Sequence, residues 1–136
     1  MKTTVFTVIG EPQGKARPRI LRSGRAYTPK KTADYEKAIR AAFKGAGGEL
    51  SEYPVRVSIT AYYRIPQSAS KRMQAQMMEN AVLPMKKPDL DNLAKVVCDA
   101  LNGIAYKDDA HVCELFVQKL YSREPMIIVT VRELIL

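Results

Sequence analysis

The amino-acid sequence predicts a single α/β domain in which a mixed or antiparallel β-sheet packs against helices. The chain has 136 residues, a length that suits one domain with a sizeable core. Apolar and polar side chains alternate over residues 55–65, which is typical of a strand with one buried face. Over residues 92–102 apolar side chains recur at helical spacing instead. We therefore expect one domain over residues 1–136 with the element order β-α-β-α-α-β-β.

The first half of the chain is expected to form a strand, a helix and a second strand. The opening segment MKTTVFTVIG is too short and too polar for a signal peptide and indicates a strand over residues 3–9. A helix is predicted over residues 33–43, with Thr32 as its N-cap and the sequence GAGG at its end. Its apolar residues recur at every fourth position: Tyr35, Ile39 and Phe43. The alternating segment 55–65 then supplies the second strand.

The second half predicts two helices followed by two strands. Residues 68–80 form the weaker helix prediction. Residues 92–102 form the stronger one, and its apolar stripe contains five residues: Leu93, Val96, Val97, Ala100 and Leu101. Strands are expected over residues 111–121 and 126–134, which would complete the sheet.

The net charge of +8 is distributed unevenly along the chain. A short basic loop contains Lys86 and Lys87. The longer basic stretch runs from Pro12 to Ala33. That stretch has seven basic residues and no acidic one: Lys15, Arg17, Arg19, Arg22, Arg25, Lys30 and Lys31. Excess positive charge suits a polyanion such as nucleic acid, because each phosphate contact releases condensed counterions. A solvated basic loop is the alternative interpretation.

The composition argues against several classes of function. No apolar run approaches the roughly 20 residues that cross a bilayer, so we expect a cytoplasmic protein with no membrane partner. Two cysteines, Cys98 and Cys113, are too few for a disulfide framework and are predicted to be buried free thiols. With His111 they are one ligand short of a structural zinc site. A single histidine is a weak basis for a catalytic triad, and the N-terminal glycines lack the spacing of a P-loop.

Five of the fourteen carboxylates of this basic chain lie within residues 87–109: Asp89, Asp91, Asp99, Asp108 and Asp109. In an extended segment residues i and i+2 point the same way, so Asp89 and Asp91 can face one site. Pro88 favours an extended approach, and Asp91 occupies a position that suits the N-cap of the next helix. Two neighbouring carboxylates repel each other unless a cation or proton intervenes, and Mg²⁺ bound by carboxylates, water and phosphate would remove that repulsion. Helix capping and turn formation are the alternative explanation of the cluster.

The polar pattern continues along the helix that follows this pair. Lys95 lies four residues after Asp91 and therefore on the same helical face. It could form a weak surface ion pair with Asp91, or it could contact the scissile phosphate. Asp99 continues the same face and is predicted to be solvated or paired with a lysine rather than to bind metal. Asp108 and Asp109 lie in a turn, and only the tertiary structure could return them to the start of the helix.

The motif KPDLDNLAK followed by DALNGIAYKDD resembles the signature of the RusA family of Holliday junction resolvases. The segments GEPQGKARPRI and AYTPKKTADYEKAIR are similar to the opening of that family, so the resemblance covers most of the chain. It implies a RusA-like fold and a homodimeric, Mg²⁺-dependent endonuclease, with Mn²⁺ as a substitute ion. Such an enzyme cuts four-way DNA junctions by paired symmetric nicks, and its genes are often carried by prophages.

Carried over position by position, the resemblance implies that Asp89, Asp91 and Asp109 are the catalytic, metal-binding acids. It implies that Lys95 is the essential lysine and that Asp108 is a neighbouring, less critical acid. The residues expected to bind the junction arms are basic: Lys15, Arg17, Arg19, Arg22, Arg25, Lys86 and Lys87.

The leading interpretation is therefore a metal-dependent, structure-selective DNA endonuclease. One alternative is a non-catalytic DNA-binding or architectural protein in which the acids only cap helices and increase solubility. Another is a metal-dependent nuclease that acts on RNA, because carboxylate-held Mg²⁺ does not by itself select DNA. Nicking of a four-way junction, compared with linear duplex and RNA in the presence and absence of Mg²⁺, separates the three.

Overall fold

The computed structural model describes residues 2–135 of the chain. Within that range the strands are β1 (Thr3–Ile9), β2 (Arg19–Ile20), β3 (Ala26–Tyr27), β4 (Val55–Arg64), β5 (Val112–Ser122) and β6 (Met126–Glu133). The helices are α1 (Lys30–Gly45), α2 (Lys71–Met78) and α3 (Leu90–Leu101), and a 3₁₀ turn covers Asp109–His111. None of the helices described combines the length and apolar character that a membrane span requires.

The four long strands form one mixed sheet in the order β1, β6, β4, β5. β6 runs antiparallel to both of its neighbours, β1 and β4. β4 and β5 run parallel, because the chain returns through α2 and α3 before it enters β5. The predicted α/β class and mixed sheet are confirmed. The structure adds a short antiparallel hairpin of β2 and β3 inside the predicted basic loop.

Regular side-chain periodicity creates the hydrophobic core. Alternate residues of β4 are buried, as predicted: Val55, Val57, Ile59, Ala61 and Tyr63. The apolar stripe predicted for α3 is also fully buried and joins the same core. α1 contributes Phe43, whose ring meets Phe6 edge-on with the ring centroids 5.9 Å apart. Burial of each large side chain contributes about 1.5–3 kcal/mol, so these two faces hold the helices against the sheet.

The start of α1 differs from the prediction. The helix begins at Lys30 after Pro29, so Thr32 is not its N-cap. Thr32 is buried in the first turn, and its Oγ1 accepts a hydrogen bond from the Ala16 amide at 3.2 Å. The hydroxyl of Thr32 therefore binds the N-terminal segment and does not cap its own helix.

The start of α3 differs in a similar way. Asp89, and not Asp91, is the N-cap residue, and its extended backbone (φ −71°, ψ 160°) keeps it outside the helix. The preceding Pro88 favours such an extended approach, as predicted. Asp91 consequently lies inside the first turn of α3.

Two smaller predictions also need correction. α2 is shorter than the predicted helix 68–80 and begins after Ser70, whose Oγ accepts a hydrogen bond from the Met73 amide at 3.1 Å. Cys98 is half-buried, but Cys113 is exposed, so the prediction of two buried thiols is wrong for Cys113. Cys113 lies on β5, which is an edge strand and is covered less completely than the central strands.

Candidate DNA-binding cleft and metal site

The first turn of α3 carries the two central acids of the predicted site. Asp89 is exposed at the N-cap, and its side chain makes no capping hydrogen bond to the described part of the chain. Asp91 is exposed in the first turn. The positive end of the helix dipole favours both charges. Since its carboxylate does not cap the helix, Asp89 is free to bind a ligand.

The loop before Asp89 is attached to the core through Tyr63 of β4. The Tyr63 hydroxyl donates a hydrogen bond to the Pro88 carbonyl oxygen at 2.6 Å. Burial raises the pKa of this hydroxyl, and the negative charge of Asp89 raises it further. The hydroxyl therefore remains a hydrogen-bond donor at neutral pH. The Lys119 ammonium lies 5.1 Å from the centre of the Tyr63 ring and also donates to the Lys86 carbonyl oxygen.

A cleft of about 920 Å³ opens beside the start of α3. Its lining consists of Pro12, Gln13, Gly14, Lys15, Ala16, Arg17, Arg19, Pro29, Lys31, Thr32, Lys87, Pro88, Asp89 and Asn92. The tertiary structure thus brings residues of both predicted basic loops together with Asp89. Lys31 also lines the cleft, although it is not among the residues predicted to bind DNA. Its position in the basic stretch is the sequence feature that could have indicated this.

The predicted DNA-binding residues divide into three groups. Arg17, Arg19 and Lys87 are exposed and line the cleft. Three others are exposed outside its lining: Arg22, Arg25 and Lys86. Lys15 lines the cleft, but its ammonium lies 2.9 Å from Glu36 Oε2 and 3.3 Å from Asp99 Oδ2. The contact with Asp99 confirms that this aspartate pairs with a lysine, although the lysine comes from the N-terminal loop.

The remaining predicted residues lie farther along α3 and beyond its end. Lys95 is exposed one turn after Asp91. Asp109 is exposed at the start of the 3₁₀ turn that leads into β5, and Asp108 caps that turn by accepting a hydrogen bond from the Ala110 amide at 2.9 Å. Burial raises the pKa of the Cys98 thiol, and the charge of Asp109 raises it further. Asp109 therefore lies near enough to Cys98, in the third turn of α3, for its charge to act on that thiol.

The donor atoms suit a hard divalent cation, because carboxylate oxygens are the usual protein ligands of Mg²⁺. Within residues 2–135, however, there is no group of three or more histidine, cysteine, aspartate or glutamate side chains placed to hold a metal ion. The assignment of Asp89, Asp91 and Asp109 as metal ligands therefore stays a prediction. Mg²⁺ commonly uses one or two carboxylates together with water and substrate phosphate. Asp89 and Asp91, both exposed at the start of α3, are carboxylates of this kind.

Sequence reasoning missed the residues that join the cleft together. Glu36 was not singled out, although it pairs with Lys15 from the buried side of α1. Tyr63 belongs to the alternating segment 55–65, which predicted a strand with one buried face, but the pattern did not indicate its hydrogen bond to Pro88. These contacts join segments that are distant in the chain, so no local pattern could have revealed them.

Comparison with known proteins identifies the family of this chain. The family described as Endodeoxyribonuclease RusA matches residues 10–132. The chain is also 36% identical over 134 residues to the uncharacterized protein YqaN of Bacillus subtilis (strain 168), with 94% of each chain covered. The family match spans α1, α3 and the cleft between the basic loops and Asp89. The chain therefore belongs to the RusA endodeoxyribonuclease family.

Proposed function

We propose that this protein is a Mg²⁺-dependent endonuclease that resolves four-way DNA junctions. The observation that carries the proposal is the cleft in which Asp89 adjoins basic side chains of two separate loops. A polyanion is attracted to such a cleft, whereas an acidic residue on its wall opposes simple phosphate binding. That opposition disappears if a divalent cation lies between the carboxylate and the phosphate.

The side chains of the chain itself would divide the work between binding and chemistry. Arg17, Arg19 and Lys87 would bind backbone phosphates and set the register of the DNA in the cleft. Asp89 and Asp91 would hold Mg²⁺, with Asp109 as the third predicted ligand. When bound, Mg²⁺ lowers the pKa of water and offsets the charge of the phosphate.

Lys95 would act at the phosphate rather than at the metal. An ammonium on the same helical face as Asp91 can stabilise negative charge that develops on the phosphate oxygens. Because Lys95 is exposed, it is available for such a contact.

Point variants separate binding from chemistry. Replacement of Asp89, Asp91 or Asp109 by Asn should reduce single-turnover nicking of a synthetic junction in Mg²⁺ by about 100-fold or more, since the site loses a charged ligand of the ion that would activate water and offset the phosphate charge. Gel-shift affinity in Ca²⁺ or EDTA should be retained. Lys95→Ala should reduce the nicking rate to the same extent. Its DNA affinity should fall by no more than the contribution of one phosphate contact. Asp108→Asn is the matched control, because its carboxylate serves the 3₁₀ turn.

The results also distinguish the alternatives. Full nicking activity of the Asp91→Asn variant would refute the metal-site assignment and leave Asp91 a role at the helix start. Junction binding without Mg²⁺-dependent nicking by the wild-type protein would favour an architectural role. Preferential cleavage of RNA would favour a ribonuclease. Thermal unfolding of each variant should be measured first, because a misfolded variant would mimic a catalytic loss.

We further propose that the working enzyme is a homodimer located in the cytoplasm. Paired symmetric nicks require two active sites related by a two-fold axis, and two-fold dimers are the commonest closed assembly. Light scattering at micromolar protein should give about twice the chain mass of 15.3 kDa. A monomer, both free and on junction DNA, would refute paired nicking by one assembly.

A further inference from the structure

The segment Gln13–Ala16 is attached to both helices that border the cleft. Its closest packing is at Gly14, where an added Cβ would lie 2.9 Å from Asn92 Cβ and 3.0 Å from Pro88 Cβ. The backbone of the next residue donates a hydrogen bond to the Asn92 carbonyl oxygen at 3.3 Å. A glycine is therefore required at position 14 for the segment to approach the start of α3.

A cluster of three charged side chains lies behind this backbone contact. The Lys15 ammonium bridges Glu36 on α1 and Asp99 on α3, at 2.9 Å and 3.3 Å. The side chains are only 16%, 11% and 28% exposed, respectively. Burial alone would lower the pKa of Lys15, but the hydrogen bonds and charges of Glu36 and Asp99 keep that pKa above its usual value.

Lys15 supplies the positive charge of this cluster. One cation faces two anions, so removal of the ammonium would leave two poorly solvated carboxylates facing each other between α1 and α3. An ammonium held in this way is poorly placed to neutralise DNA phosphate. Its position suits a structural contact that joins the N-terminal segment to both helices.

We propose that Lys15 is a positioning residue: it fixes the segment that leads to Arg17 and Arg19 against α3, so that these guanidinium groups and Asp89 face the same cleft. This role rests on the proposed nuclease function for its effect on cleavage. The attachment itself is a property of the free protein and can be measured without DNA.

Hydrogen exchange of the free protein tests the attachment directly. The Ala16 amide donates to Thr32 Oγ1 and should exchange at least about tenfold faster in Lys15→Met, because a buried hydrogen bond between charged groups is removed beside it. Gly14→Ala changes no charge and should accelerate the same amide by displacing the segment. Lys44→Met, at the exposed end of α1, is the control for removal of a lysine. Unchanged Ala16 exchange in both test variants would overturn the proposal.

Salt dependence of junction binding separates positioning from direct contact. A lysine that neutralises one phosphate contributes about 0.9 to the slope of log affinity against log salt, and its removal reduces the slope by that amount. A positioning residue leaves the slope unchanged while affinity falls. A slope in Lys15→Met that is reduced by about 0.9, with unchanged Ala16 exchange, would make Lys15 a direct DNA contact and overturn the proposal.

The sharpest test is Asp99→Asn, for which the two interpretations predict opposite signs. Removal of a negative charge near the cleft should tighten DNA binding if electrostatics alone operate. If Lys15 positions the segment, removal of its partner charge should weaken binding and lower nicking by up to about 100-fold, as expected for a displacement of about 1 Å. Glu52→Gln, an exposed acid elsewhere, is the control. If the wild-type protein bound junctions without nicking them, the proposed function would fail, while the exchange and binding results would still decide the role of Lys15.

Discussion

Replacement of Tyr63 by phenylalanine removes one hydroxyl from beneath the predicted catalytic loop and leaves the rest of the site intact. The hydroxyl donates to the Pro88 carbonyl oxygen at 2.6 Å, directly before Asp89. The phenylalanine ring keeps the core packing and remains close to the Lys119 ammonium, which lies 5.1 Å from the present ring centre. The variant therefore isolates a single hydrogen bond.

The size of the effect follows from the burial of the two partners. Tyr63 is 1% exposed, whereas Pro88 is half-buried, so water can partly replace the missing donor. We expect the free energy of unfolding to fall by about 1–2 kcal/mol. For a chain of this size that corresponds to a decrease in Tm of about 3–10 °C. Nicking should fall by about tenfold to 100-fold, because Asp89 is then less well placed.

Calorimetry and single-turnover nicking on the same preparation are the required measurements. Tyr62→Phe is the matched control, because the Tyr62 side chain lies on the opposite face of β4 and is half-buried. An unchanged Tm for Tyr63→Phe would refute the stabilising role of the hydrogen bond. A lower Tm with unchanged nicking would show that this bond stabilises the loop without positioning Asp89.

Two further predictions concern packing and thiol chemistry. Gly48→Ala should destabilise the fold by about 1–3 kcal/mol in chemical denaturation, because the added Cβ would lie 2.4 Å from the Phe43 ring. Gly45→Ala is the control, since position 45 lies in open space at the end of α1 and the change should be neutral or stabilising. Equal effects of the two changes would refute the packing argument. At pH 8 a thiol reagent should modify the exposed Cys113 quickly and the half-buried Cys98 slowly, because burial raises the pKa of Cys98. A rapid phase that survives in Cys113→Ser would contradict this order of reactivity.

The elements that were predicted correctly share one property: their patterns depend on residues close together in the chain. The alternation of residues 55–65 has the period of a strand, and the stripe of residues 92–102 has that of a helix. The errors in the bounds of these elements occurred at helix ends, where a cap residue is selected by contacts outside the helix. Thr32 illustrates this, since its hydroxyl binds the Ala16 amide of a distant segment.

The acidic cluster shows the same limit for the functional site. Aspartates that are close together in the sequence have different contacts in the structure. Asp89 lines the basic cleft, Asp99 pairs with Lys15, and Asp108 caps a turn. A helix rises about 1.5 Å per residue, so acids at the two ends of α3 are held well apart even though they are close in sequence.

The sequence by itself determined the fold class, the two amphipathic surfaces that build the core, and the motif that identified the RusA family. These features arise from residue spacing and from residue identity, both of which can be read along one dimension. Only the tertiary structure decided which charged residues meet. Lys15, Glu36 and Asp99 come from a loop and two helices, and their contact exists because burial of the α1 and α3 stripes against the sheet fixes those helices side by side. Such long-range contacts result from packing of the whole chain, so no segment alone contains the information that selects them.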